Sequence, residues 1–174
     1  MVVPGSLRYA ALTTQVAAVA VAAAGVTVTL AGGLGLVPLY NEDIDTDAPP
    51  RAAGLLREQV AAADAVLFIS PSHNGSMSAA LKNAIDWLSR PRGAAPLLGK
   101  PAAFLVVGYH VGEAESHLGH VLEKAGARVI TSPGRVVSAR TLGGRPAGDV
   151  PAVQDAVAGA LAALAGAVAT GAVI

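Results

Sequence analysis

Two polar segments of this chain carry residue types that bind ligands. The first is Gly5-Ser6-Leu7-Arg8. A Gly-Ser turn between a strand and a helix aims unpaired backbone N–H groups at an anion. Ser6 adds a hydroxyl, Arg8 a fixed charge, and Thr13 and Thr14 further hydroxyls from the first helical turn. The same tetrapeptide also makes an ordinary tight turn with a surface arginine. It is neither a Gly-Lys-Ser/Thr phosphate loop nor a Gly-x-Gly-x-x-Gly dinucleotide turn. The second segment, Pro71-Ser72-His73-Asn74-Gly75-Ser76, follows the apolar run Ala65–Ile69 and precedes an amphipathic stretch to Arg90. Loops at the carboxyl ends of parallel strands are where open α/β sheets bind ligands. The small residues here let backbone amides come close to a planar molecule.

Other polar groups point less clearly to chemistry. Glu113, His117 and His120 fall on neighbouring turns of one helix, a spacing that can ligate a metal. No matching set of ligands is evident elsewhere in the sequence, so an exposed polar face is expected and no metal is assigned. The acidic run Glu42, Asp43, Asp45, Asp47 reads as solvated loop, with a contact at a site rim as the alternative. Lys82 and Asp86 are i, i+4 neighbours and read as a solvated pair. No Ser–His–Asp arrangement is evident, and the absence of cysteine excludes thiolate catalysis and disulfides.

These segments need elements to position them. The pattern predicts strands at Met1–Pro4, Val26–Leu30, Ala65–Ile69, Ala102–Val107 and Ala127–Thr131, the last resuming at Val136-Val137. It predicts helices over Ala11–Ala24, from Pro50 or Arg51 to Ala63, from a Ser76 cap to Ser89, over Glu113–Ala125, and from Val150 to about Val168. In the third helix Leu81, Ala84, Ile85 and Leu88, with Met77, share an apolar face. Trp87 lies at its rim, where it either packs inward or anchors a second subunit. Strict β-α alternation argues for one doubly wound parallel sheet with helices on both faces. Five strands suit the order 2-1-3-4-5. No linker or repeat divides residues 1–174, which read as a single domain.

Composition narrows the function. Of 174 residues, 53% are hydrophobic and 14% charged, so a packed core is available. Twelve basic and twelve acidic residues balance, leaving no basic field for nucleic acid or an anionic membrane. Tyr9–Asn41 and Ala156–Ile174 carry no charge. The first switches from helix to strand pattern and the second is mostly alanine, so neither is expected to span a membrane. No export signal is evident at the N-terminus, and a cytoplasmic protein is expected.

Gly5-Ser-Leu-Arg8, together with Asn74-Gly-Ser and Leu81-Lys-Asn-Ala-Ile-Asp-Trp-Leu-Ser-Arg90, closely resembles the NADPH-dependent FMN reductase family. Gly99-Lys-Pro101 and Gly126-Ala-Arg-Val-Ile130 match it as well. The resemblance implies a flavodoxin-like fold, bound FMN, and hydride transfer from NADPH or NADH through the flavin to a small-molecule electron acceptor, such as free flavin or a quinone. It implies a homodimer or homotetramer, and no catalytic side chain, because the cofactor carries the chemistry. By position, Ser6, Arg8 and Thr13 would hold the FMN phosphate. Pro71, Ser72, His73, Asn74, Gly75 and Ser76 would line the isoalloxazine edge, and Gly108, Tyr109 and His110 would border the ring. The chain departs from the family pattern at Ala11 (usually Ser), Thr13 (usually Asn) and Ser72-His73 (usually Glu-Tyr), and in a strand-four loop without the usual Ser/Thr and paired glycines. The family also spends more residues ahead of Gly5, so the first strand is short here or the native chain starts upstream. Two other readings are an electron carrier of the same fold, which the neutral charge disfavours, and a flavin-poor oligomeric scaffold.

Overall fold

The computed structural model describes residues 1–23 and 25–171; Ala24, the expected last residue of the first helix, and the tail 172–174 lie outside these. Strands β1 (Val2–Pro4), β2 (Val66–Pro71), β3 (Pro101–Gly108), β4 (Arg128–Val129) and β5 (Val136–Ser138) form one parallel sheet. β1 pairs with β2 through Val3↔Phe68, and β2 with β3 along its whole length from Val66↔Ala102 to Pro71↔Val107. β4 and β5 both lie against the other edge of β3, near its start and its end. They are the two parts of the strand expected over Ala127–Thr131 and resuming at Val136-Val137.

The expected strand Val26–Leu30 is reduced to one bridge, Val2 to Leu30, on the free side of β1. Val2 N–H donates to Thr29 at 2.7 Å and Ala31 N–H donates to Val2 at 2.8 Å. The next β1 residue facing that side is Pro4, which has no N–H to continue the ladder. The segment therefore holds the edge place that the order 2-1-3-4-5 gives it, without becoming a strand.

Both faces of the sheet are covered, so its strands are apolar almost throughout. Side chains alternate. Val3, Val66, Phe68, Phe104 and Val106 pack under helices α2 (Arg51–Ala62), α3 (Ala79–Leu88) and α4 (Gly112–Lys124). Val2, Leu67, Ile69, Leu105 and Val107 pack under α1 (Leu12–Ala22), the one-turn α5 (Ala139–Leu142) and α6 (Pro151–Gly171). By length and composition α6 could cross a membrane, yet Val153, Ala156, Val157, Ala160 and Leu164 bury one side of it on the sheet.

At α3 one sequence expectation changes and one of two open readings is decided. The helix is capped by Ser78, whose Oγ accepts from Leu81 N–H at 3.2 Å, and not by Ser76. Trp87 is fully buried rather than a subunit anchor. Its indole N–H donates to the Pro38 carbonyl at 2.8 Å, and Tyr40 packs edge-on to it at 5.1 Å. Asn83, also on α3, accepts from Tyr40 N–H at 2.7 Å and donates to Pro38 at 2.9 Å. Arg57 on α2 lies over the Trp87 ring, donates from Nε to the Trp87 carbonyl, and holds Asp45 through paired bonds of 2.7 and 2.9 Å. The long loop after the edge segment is thus clamped to α2 and α3. Asp45 is no solvated acid: the Arg57 hydrogen bonds hold its carboxyl below the ordinary aspartate value. The Lys82–Asp86 pair is formed at 2.6 Å and half exposed, as expected.

Candidate functional site

The carboxyl ends of β1, β2 and β3 release three loops around one cleft of about 620 Å³. Size does not select this cleft, since another of about 740 Å³ lies near the amino ends of the strands, beside Lys100 and Arg128. Its polar architecture does.

The loop after β1 leaves under tight constraint. Gly5 N–H donates to the Ile69 carbonyl at 2.7 Å, and a Cβ on Gly5 would lie 3.1 Å from that oxygen and from two Leu81 carbons. Ser78 Oγ donates to the Gly5 carbonyl, so the α3 cap also fixes the start of this loop. Ser6 Oγ accepts from Arg8 N–H at 3.2 Å, and Thr14 Oγ1 donates to the Arg8 carbonyl at 3.2 Å. The loop therefore folds over the first turn of α1.

That first turn is open. Ala11 is its N-cap and offers no side-chain acceptor, so the first-turn N–H groups are left for a ligand. Thr13 is 1% exposed, and its Oγ1 has no hydrogen-bond partner. A buried hydroxyl without a partner costs about 1–3 kcal/mol. Thr13 lines the cleft, so its missing partner can come from a ligand there. Arg8 stands exposed at the mouth, and no carboxylate is among the lining residues. Uncapped N–H groups, a hydroxyl and an arginine around one space are suited to an anion.

The opposite wall comes from the loops after β2 and β3. Pro71, Ser72, His73, Val107 and Tyr109 line it, and Ala79 and Ala80 of α3 close the floor. Ser72 N–H donates to the Val107 carbonyl at 3.1 Å, and Ser72 Oγ donates to the His110 carbonyl. Gly108 lets the two loops meet: a Cβ there would stand 3.0 Å from the Ser72 Cβ.

Of the residues singled out in the sequence, Ser6, Arg8, Thr13, Pro71, Ser72, His73 and Tyr109 line this cleft. Gly108 and His110 stand behind Ser72. Asn74, Gly75 and Ser76 are not among the lining residues. They belong to a two-residue hairpin, closed by His73 N–H to Ser76 at 2.8 Å and Ser76 N–H to His73 at 2.9 Å. Asn74 and Gly75 take φ of 51° and 74°, as such a turn requires. The hairpin tip lies against α4, where Glu113 meets Gly75 and His117 Nδ1 is 2.9 Å from Ser76 Oγ. Among the described residues no cluster of three metal-ligating side chains forms, so Glu113, His117 and His120 have no further ligands gathered around them.

Ser78 and Leu12 were not expected at the site, and Ala11 only as a departure from the family pattern. Ser78 was legible, since a cap stands immediately before the first periodic residue, here Ala79. Ala11 carries no chemical signal, because its contribution is to leave the N–H groups free.

A family model described as NADPH-dependent FMN reductase matches residues 1–141. A quinone reductase of Pseudomonas putida is 50% identical over 74 residues, which cover 42% of this chain and 40% of that protein. A quinone reductase of Escherichia coli K12 is 32% identical over 136 residues, 74% of this chain and 71% of that protein. The match thus spans less than half the length of the first of these relatives and over two thirds of the second. Among solved structures, the flavoenzyme NAD(P)H:(acceptor) oxidoreductase FerB from Paracoccus denitrificans superposes with a TM-score of 0.69 at 29% identity, covering 91% of this chain and 96% of that one.

Proposed function

The chain belongs to the NADPH-dependent FMN reductase family, and we propose that it is an FMN-dependent NAD(P)H oxidoreductase that reduces free flavin, a quinone or a similar small acceptor. The observation that carries this reading is the partnerless Thr13 hydroxyl, buried beside an uncapped helix start in a cleft without carboxylates. These residues fit a phosphomonoester. Bound there, FMN would take hydride from NADPH or NADH and return it to the acceptor.

The protein's part is to bind and to orient. Ser6, Arg8 and Thr13 hold the phosphate, together with the first-turn N–H groups of α1. Pro71, Ser72, His73 and Tyr109 form the wall for the ring, with Gly108 and His110 fixing Ser72 from behind. Asn74, Gly75 and Ser76 act through the hairpin that carries His73. No side chain is assigned a proton, since hydride transfer itself requires none. The quinone is favoured as acceptor because the relatives from Pseudomonas putida and Escherichia coli are quinone reductases.

The working unit in this reading is one domain, residues 1–174, assembled as a homodimer or homotetramer. Leu7, Tyr9, Leu36, Leu39 and Tyr109 are exposed large apolar side chains on loops at the carboxyl end of the sheet, where a subunit contact would cover them. A cytoplasmic setting is supported by the reductant, which is a cytosolic metabolite. The test is titration of the purified, flavin-stripped protein with FMN, followed by an NAD(P)H oxidation assay with a quinone. Saturable quenching of flavin fluorescence and acceptor-dependent oxidation support the reading. No binding up to about a hundred micromolar FMN, a far weaker affinity than the −8 kcal/mol of a micromolar site, defeats it.

A further inference from the structure

The hairpin His73–Ser76 is tied down at both ends. At its base Ser72 is bonded to the loop after β3 through the Val107 and His110 carbonyls. At its tip the ties come from α4. His117 Nδ1 and Ser76 Oγ are 2.9 Å apart, and Glu113, one turn earlier on the same helix, packs against Gly75 so closely that a Cβ there would fall 2.4 Å from its Oε2. None of these tip contacts is needed to close the turn, which already has its own two backbone bonds. They fix where the closed turn sits.

His73 is the residue of the hairpin that lines the cleft. It is exposed, and its ring makes no hydrogen bond among the described residues, so its direction depends on the backbone that carries it. That backbone hinges on the Ser72 ties at one end and the α4 contacts at the other. We propose that His117 is a positioning residue: through Ser76 it fixes the His73–Ser76 hairpin against α4 and so holds the wall of the cleft in its binding geometry. α4 packs its Ala114, Leu118 and Leu122 side under the sheet, which makes it a rigid base for such a tie. The ligand then meets a wall already in place and does not spend affinity ordering it. The consequence for FMN rests on the proposed function; the tie itself does not.

His117→Ala, Ser76→Ala, the double variant and His117→Asn test this. Asparagine presents a polar atom close to the position of Nδ1. Hydrogen exchange of the His73 and Ser76 amides is followed in flavin-free protein, and FMN affinity is followed separately. Loss of one such hydrogen bond is expected to speed exchange and weaken FMN binding by about two- to tenfold, since its net worth is near 0.5–1.5 kcal/mol. His117→Asn should recover most of both effects. The double variant should be no worse than either single one, because both remove the same bond. In His117→Ala the turnover number at saturating FMN should stay within about twofold. The inference is overturned if exchange at the hairpin is unchanged in His117→Ala, or if the two single effects add. If the exchange effects appear but wild-type protein binds no FMN, the tie stands and the proposed function fails. If wild type binds FMN and no variant alters exchange or affinity, the function stands and the tie fails.

Discussion

Replacing Thr13 by valine should move stability and affinity in opposite directions. Valine has nearly the shape of threonine, keeps the buried methyl and removes only Oγ1. In the flavin-free protein that oxygen is buried without a partner. Removing it relieves a desolvation cost of about 1–3 kcal/mol. Helix propensity changes little, because threonine and valine are both β-branched. A net gain near 1 kcal/mol is expected, or about 2–4 °C in Tm for a chain of this size. FMN affinity should fall, because a hydrogen bond to a charged group is worth about 1.5–3 kcal/mol. That corresponds to a rise in Kd of roughly 12- to 150-fold. Differential scanning fluorimetry of stripped protein gives the first number and fluorescence titration with FMN the second. Thr13→Ser is the control: it retains the hydroxyl, loses a methyl, and should bind within a few-fold of wild type while losing about 1 kcal/mol of stability. A valine variant that is destabilised and binds FMN normally would refute the reasoning, since the hydroxyl would then serve the fold and not the ligand.

Other changes follow from the same contacts. Asn83→Leu keeps the branched shape but leaves the Tyr40 N–H without its acceptor, and should cost about 2–3 kcal/mol in urea denaturation. Asn83→Asp should be as damaging, because its second oxygen would face the Pro38 and Val37 carbonyls that the amide now donates to. Gly75→Ala meets Glu113 and a φ of 74°, so it should disturb the hairpin and weaken FMN binding, and Glu113→Ala in the same chain should recover part of the loss by removing the clash. The Asp45 carboxyl lies below its ordinary value because Arg57 donates to it. A depressed carboxyl contributes stability that is complete above its unfolded value and disappears as pH falls through the folded one. Denaturation midpoints should therefore drop more steeply below about pH 4 in wild type than in Asp45→Asn, with the two curves parallel between pH 5 and 7.

Much of the fold was legible because its signals are local. Apolar runs between helical periods marked the parallel sheet, and the helix expected over Glu113–Ala125 is close to the observed α4. What sequence periodicity missed was decided across space. The Thr-Val alternation at Val26–Leu30 has the look of a strand, but its partner offers Pro4 where a donor is needed. Trp87 sits at the rim of a helical wheel, yet the Pro38 and Tyr40 loop folds over that rim and buries it. The same contacts give the run Lys82–Trp87, part of the family resemblance, a role away from the cleft: Asn83 and Trp87 hold a loop in place. At the site itself, Gly5, Ser6, Arg8 and the Pro71–His73 segment could be read from residue type and position after a strand. Ser78 could be read as the cap from its place just before Ala79, but Ser76, two residues earlier, competes for that role. The division of the second loop, with His73 facing the cleft and Asn74–Ser76 facing α4, depends on a tight turn whose direction no residue type announces.

FMN bound at the carboxyl end of the sheet and reduced there is tested most directly by anaerobic addition of NADPH, and separately NADH, to FMN-loaded wild-type and Thr13→Val protein at equal total flavin, with the flavin's visible absorbance recorded over time. The flavin band should bleach in wild type with one or both nucleotides and return when a quinone is added, and in Thr13→Val the initial rate of bleaching should fall in proportion to the smaller bound fraction. Wild-type protein that leaves the flavin oxidised with both nucleotides, or a variant that bleaches as fast as wild type, is the opposite result.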